Sequence, residues 1–374
     1  SSLEEARTKI TEDLTDLLEG ELRVDEVTTA LYASDASLYE IKPLAVAFPK
    51  NTADVATLAR YASDNNFSLI PRGAGTGLAG GCLGAGIVVD FSGHINNLLS
   101  INGDTVRVQP GITLAELNRT LRQHGRYFAP DPSNAAITTI GGMLGVDAAG
   151  SHAFLVGSTR DHVQSLQCVL VGGQIMDLGR EQVPKSYAIK QPEPGIAGTA
   201  DLQPNRDFVP PVRNETLSLT SLTPRMRKTD LVERLAALLT ESVDLIKQHQ
   251  PLLLRNSSGY MLRSILNRGV LDLPRLIAGS EGSLAMATEV TLHTMPLPTH
   301  RGMIVLMFAS MDSALQAMQQ LLILEPSACD LLDRRLLSLG RDSDARFLDV
   351  VHPDAEAGLF VEFNGSSQPE IERR

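Results

Sequence analysis

The chain has 374 residues, of which 43% are hydrophobic and 21% charged, the balance of a folded protein with more than one domain, so wholesale disorder is excluded. Thirty-three Lys and Arg against 44 Asp and Glu leave a net charge of -11, which argues against nucleic-acid binding, where clustered positive charge must displace phosphate counterions. No apolar run is long enough to span a bilayer, and Cys82, Cys168 and Cys329 are too scattered for a disulfide framework, which fits a soluble protein of a reducing, cytoplasmic compartment.

In chain order, residues 3–19 predict an amphipathic helix with Ile10, Leu14, Leu17 and Leu18 on one face. Ala45–Phe48 is a short strand. Asn51, with Asp54 three residues on, caps a helix whose apolar face is Val55, Leu58, Ala59 and Ala62. Phe67–Ile70 and Ile87–Phe91 are the next strands, on either side of a glycine-rich loop. Val106 and Val108 lie on a strand, and Thr113 with Glu116 caps a helix carrying Leu114, Leu117 and Leu121 that should stop at Gly125. Alternation at Leu166, Cys168 and Leu170, then Gly172-Gly173, predicts a hairpin returning through Ile175 and Met176.

Residues 181–225 hold seven prolines without periodicity and predict a long surface insertion, followed by a helix near Leu231–His249. Met286–Leu292 alternates as a strand, and Pro296-Leu297-Pro298 closes that segment. Met303–Phe308 (strand), Ser313–Leu324 (helix) and Gly358–Phe363 (strand) begin a further α+β unit. An unfinished sheet there would leave an unpaired edge and expose Leu359 and Phe360.

The strongest chemical signal is PRGAGTGLAGG at 71–81. Glycines permit positive φ and let backbone N–H groups converge on an anion that side chains would block. Gly75, Gly77 and Gly80 satisfy the G-x-G-x-x-G spelling, but a nicotinamide-binding Rossmann site needs a helix opening within the motif. Here Gly81, Gly84 and Gly86 carry the loop directly into the strand at Ile87, which predicts a strand–loop–strand nest around a diphosphate. Small, hydroxyl-bearing loops at 131–133, 138–151 and 157–163 suggest an extended ligand across two subdomains, and a dinucleotide has that shape.

Six landmarks then fall in one order: PRGAGTGLAGG at 71–81, QPGITLAEL at 109–117, TIGGM at 139–143, GSTRDHV at 157–163, NSSGYML at 256–262 and GSEGSL at 279–284. On these the chain resembles the FAD-linked oxidases of the vanillyl-alcohol-oxidase type, in the branch of glycolate oxidase, D-lactate dehydrogenase and D-2-hydroxyglutarate dehydrogenase subunits. The resemblance implies an α+β chain with a PCMH-type FAD-binding fold of two α/β subdomains and the start of an α+β cap. It implies a helical lead-in over 1–40, an FAD domain over 41–298 (subdomains 41–95 and 96–298, insertion about 181–250) and cap residues 299–374. The FAD pyrophosphate would lie on Arg72, Gly73, Ala74, Gly75, Thr76 and Gly77. The rest of the flavin would be lined by Pro132, Thr139, Gly141, Gly142, Gly145, Ala148, Gly150, Gly157, Thr159 and Asp161, with Glu281 and Gly282 closing the site. Asp147 departs from the family's usual Asn and puts that contact in doubt, since a carboxylate repels a diphosphate unless compensated.

Oxidising a 2-hydroxy acid needs a base, a cation for the carboxylate, and a hydride acceptor. Relatives place metal-binding histidines and a Glu-His-Gly in the cap, and neither pattern is present here. His293 and His300 read as unrelated histidines, so no metal site is assigned. Arg255 and Tyr260 are the candidates near the flavin ring. Ala74, Gly75 and Thr76 stand where covalently flavinylated relatives carry His, which implies non-covalent FAD.

The resemblance extends to large bacterial fusions, so the chain reads as an N-terminal part whose iron–sulfur cluster would lie in a C-terminal part. Its partners would be a small 2-hydroxy acid and an electron-acceptor domain or protein, reached in the cytoplasm or peripherally at the inner membrane, with homo-oligomerisation left open. Two alternatives stand beside this: different FAD chemistry in the same superfamily, as in alkyl-dihydroxyacetone-phosphate synthase or the NADPH-using cell-wall reductase, and an inert scaffold lacking its cap.

Overall fold

Residues 3–184, 226–250, 253 and 258–373 are described by a computed structural model. The strands Ala45–Phe48 and Leu69–Arg72 flank Ile87–Asp90 and run parallel to it, while Glu21–Arg23, inside the stretch read as a helical lead-in, adds an antiparallel edge. Every residue of Ile87–Asp90 is buried, as befits a parallel strand covered on both faces. Asn51 Oδ1 accepts the Asp54 N–H at 2.9 Å and opens the helix Thr52–Asn65, whose Val55, Leu58 and Ala59 pack on this sheet. Ile10 and Leu14 join the same core, but their helix ends at Leu14 and Leu17 is exposed. The chain turns there because the buried Asp54 carboxylate collects the N–H groups of Glu19 and Gly20, each at 2.9 Å.

The second sheet is antiparallel throughout, in the order Leu98–Asn102, Thr105–Val108, Met286–His293, Val163–Val169 and Ile175–Leu178. Its last pair is the hairpin expected at Gly172-Gly173, where both glycines have φ near 80° (80 and 81). The helix Leu114–Arg122 opens with Thr113 Oγ1 accepting the Glu116 N–H at 3.2 Å and buries Leu114, Leu117 and Leu121. The expected insertion is partly regular: Arg180–Gln182 pairs with Val270–Asp272, and the helix near 231–249 is two helices, Lys228–Glu241 and Val243–His249, broken at Ser242. Most of its prolines lie outside the described residues.

The C-terminal unit corrects an expectation. Ala357–Gly365 is the central strand of a three-stranded sheet, paired with His300–Phe308 on one side and Ala328–Asp333 on the other. Leu359 is therefore fully buried, with Val361 and Phe363, under the helix Met311–Leu321, and Phe360 packs on the opposite face against Leu337 and Val351. The stretch 328–333 closes the edge that the sequence left open.

Candidate cofactor cleft

Two parallel neighbours cannot be joined by a tight turn and ordinarily need a helical crossover. Between Leu69–Arg72 and Ile87–Asp90 the crossover is the glycine-rich loop 73–86 itself, with no helix in it. This is the strand–loop–strand arrangement expected from the sequence. The loop forms one wall of a cleft of about 690 Å³ between the two sheets.

Arg72, Gly73, Ala74, Gly75, Thr76 and Gly77 line that wall, Pro132, Thr139, Gly141, Gly142, Gly145 and Ala148 line the facing one, and Glu281 and Gly282 border both. The walls touch where the loop passes Thr139: a Cβ on Gly73 would stand 2.1 Å from Thr139 Oγ1, so only glycine permits the approach. Thr139 Oγ1 also accepts the Gly142 N–H at 3.1 Å and so starts the helix Ile140–Val146.

Arg72 supports the loop from behind. Its Nη2 donates to the Ser34 carbonyl at 2.8 Å and Nη1 to that of Tyr32 at 3.3 Å, with the guanidinium 5.0 Å from the Tyr32 ring centroid. Tyr32 in turn donates its hydroxyl to buried Asp90 at 2.5 Å, and burial pushes the phenol well above its ordinary range. A Cβ on Gly75 would meet Arg72 Nη2 at 2.7 Å in a backbone with φ +68°. A side chain at position 75 is therefore strained by the left-handed backbone and would also displace the end of Arg72.

Asp147 does not line the cleft. It is buried at φ 51°, its Oδ1 accepting the Arg160 N–H at 2.9 Å and its Oδ2 lying 2.6 Å from Arg160 Nε and 3.0 Å from Ser158 Oγ. The compensating cation is Arg160, and Asp, like Asn, tolerates the left-handed turn.

Gly150, Gly157, Thr159 and Asp161 stand behind the wall rather than in it. Thr159 Oγ1 donates to the Ala148 carbonyl at 2.7 Å, and Asp161 holds the Ser158 N–H and Arg275, each at 2.9 Å. Tyr260 is 42% exposed and its hydroxyl lies 2.7 Å from Ser283 Oγ, outside the cleft lining. Arg255 lies outside the described residues.

Two further lining residues, Cys82 and Ser280, were not singled out for the cleft in the sequence, although Ser280 lies within GSEGSL. The Cys82 thiol donates to Asp35 Oδ2 at 3.4 Å, and burial pushes it up to about 11, with Arg72 opposing and the Asp35 carboxylate reinforcing. Ser280 Oγ is buried in the cleft lining without a hydrogen-bond partner, a polar atom whose need a ligand would meet. Among the described residues no group of His, Cys, Asp or Glu is arranged to hold a metal ion, and no helix is long and apolar enough to cross a membrane.

A glycine-built crossover loop on the parallel strands, facing a wall of small residues on the helix Ile140–Val146 and its flanking loops, makes a cleft of the shape that a dinucleotide fills. The chain matches the FAD binding domain over residues 43–179 and the C-terminal domain of FAD linked oxidases over 297–374. It is 34% identical to D-2-hydroxyglutarate dehydrogenase of Pantoea ananatis over 355 residues, which are 91% of this chain and 32% of that protein. The glycolate oxidase subunit GlcD of Bacillus subtilis is 25% identical over 341 residues, 90% of this chain and 54% of the subunit. Among solved structures, an alkyldihydroxyacetonephosphate synthase superposes with a TM-score of 0.64 at 16% identity, covering 98% of this chain and 57% of that one, and shows the shared fold. The chain belongs to the FAD-linked oxidases with a PCMH-type FAD-binding domain. It spans about a third of the length of its D-2-hydroxyglutarate dehydrogenase relatives.

Proposed function

We propose that this chain is the FAD-binding portion of an oxidoreductase that oxidises a 2-hydroxy acid and passes the electrons to an iron–sulfur domain or another acceptor. The observation that carries the reading is the cleft itself, with its helix-free glycine crossover on one side and Thr139–Ala148 on the other. Bound FAD would supply the hydride acceptor. Loop 73–77 offers backbone N–H groups to the diphosphate, Gly77 has nothing within 4 Å of a Cβ position, and the unpartnered Ser280 hydroxyl is free to bond the ligand. The apolar lining, including Phe91, Pro110, Met143 and Ile277, excludes water from the ligand's flank. D-2-hydroxyglutarate, glycolate and D-lactate are the substrates named for the relatives, and this class is the one proposed here.

The FAD is held without a covalent bond, in a protein of the cytoplasm. Among the described residues no histidine lines the cleft, and Cys82 is kept as a thiol, which is a poor nucleophile. A flavin titration followed by fluorescence should show saturable binding that Gly75→Val weakens at least tenfold, since a β-branched residue cannot hold φ +68° and the loop must change course. Failure of the protein to bind FAD at all, or full affinity in Gly75→Val, would overturn the assignment of the loop.

A further inference from the structure

His152 lies outside the cleft and joins two units of the chain. Its Nδ1 is 2.5 Å from Asp131 Oδ2 and its Nε2 is 3.1 Å from Glu362 Oε1. Asp131 immediately precedes Pro132, Ser133 and Asn134, which line the cleft, whereas Glu362 sits on the central strand Ala357–Gly365 of the C-terminal sheet. The hydrophobic clusters of the C-terminal unit contain no residue from the FAD-binding unit, and the two large clusters of the latter contain none from the former. A polar link therefore bears on how that sheet is seated.

An ionised carboxylate only accepts hydrogen bonds, so a ring with a carboxylate on each nitrogen completes both bonds only as the imidazolium. A neutral ring would set a lone pair against one carboxylate. His152 and Glu362 side chains are 18% and 17% exposed, so water does little to relieve that repulsion. Resting on the reading that the cleft holds FAD, we propose that His152 is a positioning residue: its doubly protonated ring clasps Glu362 to Asp131 and so holds the C-terminal sheet against the Pro132–Asn134 wall of the flavin cleft.

The geometry agrees with the electrostatics. The bond to Asp131 outweighs the opposing burial, and together with Glu362 it raises the imidazole from 6.5 to about 9. Other titratable and charged groups on the surrounding elements are Tyr127 on the strand before Asp131, Arg301 on His300–Phe308, and Cys329 and Asp330 on Ala328–Asp333, against which the helix Ala153–Val156 packs. Burial raises Tyr127, with Arg301 opposing and Asp131 and Glu362 reinforcing. A raised histidine contributes fully below its unfolded value and loses that contribution as pH climbs through its folded one, so the clasp's stabilisation should fall away between pH 6.5 and about 9, with the ring itself losing its proton near 9.

The test uses the whole chain with ¹⁵N-labelled histidine. Without FAD, both His152 ring nitrogens should be protonated at pH 7.5 and titrate near 9, and Glu362→Gln should bring that midpoint down by a unit or more. With FAD bound, the visible flavin spectrum should shift with the same midpoint in the wild type, and that shift should vanish in His152→Gln. An ordinary imidazole titration in the flavin-free protein would overturn the clasp whatever the flavin does. A flavin spectrum indifferent to pH across this window would overturn its reach into the cleft, while absence of FAD binding at pH 7 would overturn the cofactor reading instead.

Discussion

At Gly73 and Gly77 the same residue type serves opposite purposes. A methyl at 73 would meet Thr139 Oγ1 at 2.1 Å, while one at 77 meets nothing within 4 Å. We expect Gly73→Ala to cost about 1–3 kcal/mol of stability through overpacking, visible as a lower Tm. Gly77→Val should leave Tm unchanged and weaken FAD binding, because its side chain stands in the cleft. Asp147 makes a sharper case. An Asn at this position would leave the buried Arg160 without its carboxylate, and removing one partner of such a pair costs about 3 kcal/mol or more. Urea unfolding of Asp147→Asn checks this, and FAD affinity in the folded variant should change little, since 147 does not face the ligand.

At the scale of elements, the strand Ala357–Gly365 is the critical one. Leu359 is fully buried between two neighbours, so Leu359→Ala should destabilise the C-terminal unit by about 2–5 kcal/mol, whereas an exposed edge position would lose under about 0.5. Hydrogen exchange of the amides in 357–365 would measure it. This strand also shows where the sequence ceased to be legible. Local signals, such as Asn51 and Thr113 as caps, Gly172-Gly173 as a turn and the 73–86 loop as a helix-free connection, depend on neighbours in the chain and were readable. The pairing of 328–333 with 357–365, the clasp of His152 between Asp131 and Glu362, and Asp35 beside Cys82 join residues far apart, and no periodicity encodes them. The positions named for the cofactor came from the family resemblance of whole motifs, and of them Gly150, Gly157, Thr159 and Asp161 fall outside the cleft lining, where Thr159 and Asp161 hold the backbone of Ala148 and Ser158.

For the molecule as a whole, two outcomes follow from the cleft and its surroundings. Acid precipitation should release all yellow colour to the supernatant, and colour retained by the pellet in wild type but lost in Cys82→Ser would identify Cys82 as an attachment point. Dye-linked reduction with D-2-hydroxyglutarate, glycolate or D-lactate should be slow for this chain alone even with FAD bound. Among the described residues no histidine–carboxylate group stands ready to hold a metal, no histidine lines the cleft, and without an oriented substrate and a base the rate loses many orders of magnitude. Turnover equal to that of a D-2-hydroxyglutarate dehydrogenase relative would show that these groups lie within the chain after all.

Because loop 73–86 is also the connection that sets two parallel strands side by side, its disorder before folding is a cost borne by the first sheet. A ligand that fastens this loop therefore acts on the pairing of Leu69–Arg72 with Ile87–Asp90, and not only on a finished pocket. FAD at a hundred times its Kd would add about 2.7 kcal/mol to the folded state by mass action. The Tm should accordingly climb with FAD concentration, and newly made chains short of flavin should be the ones that proteases find first.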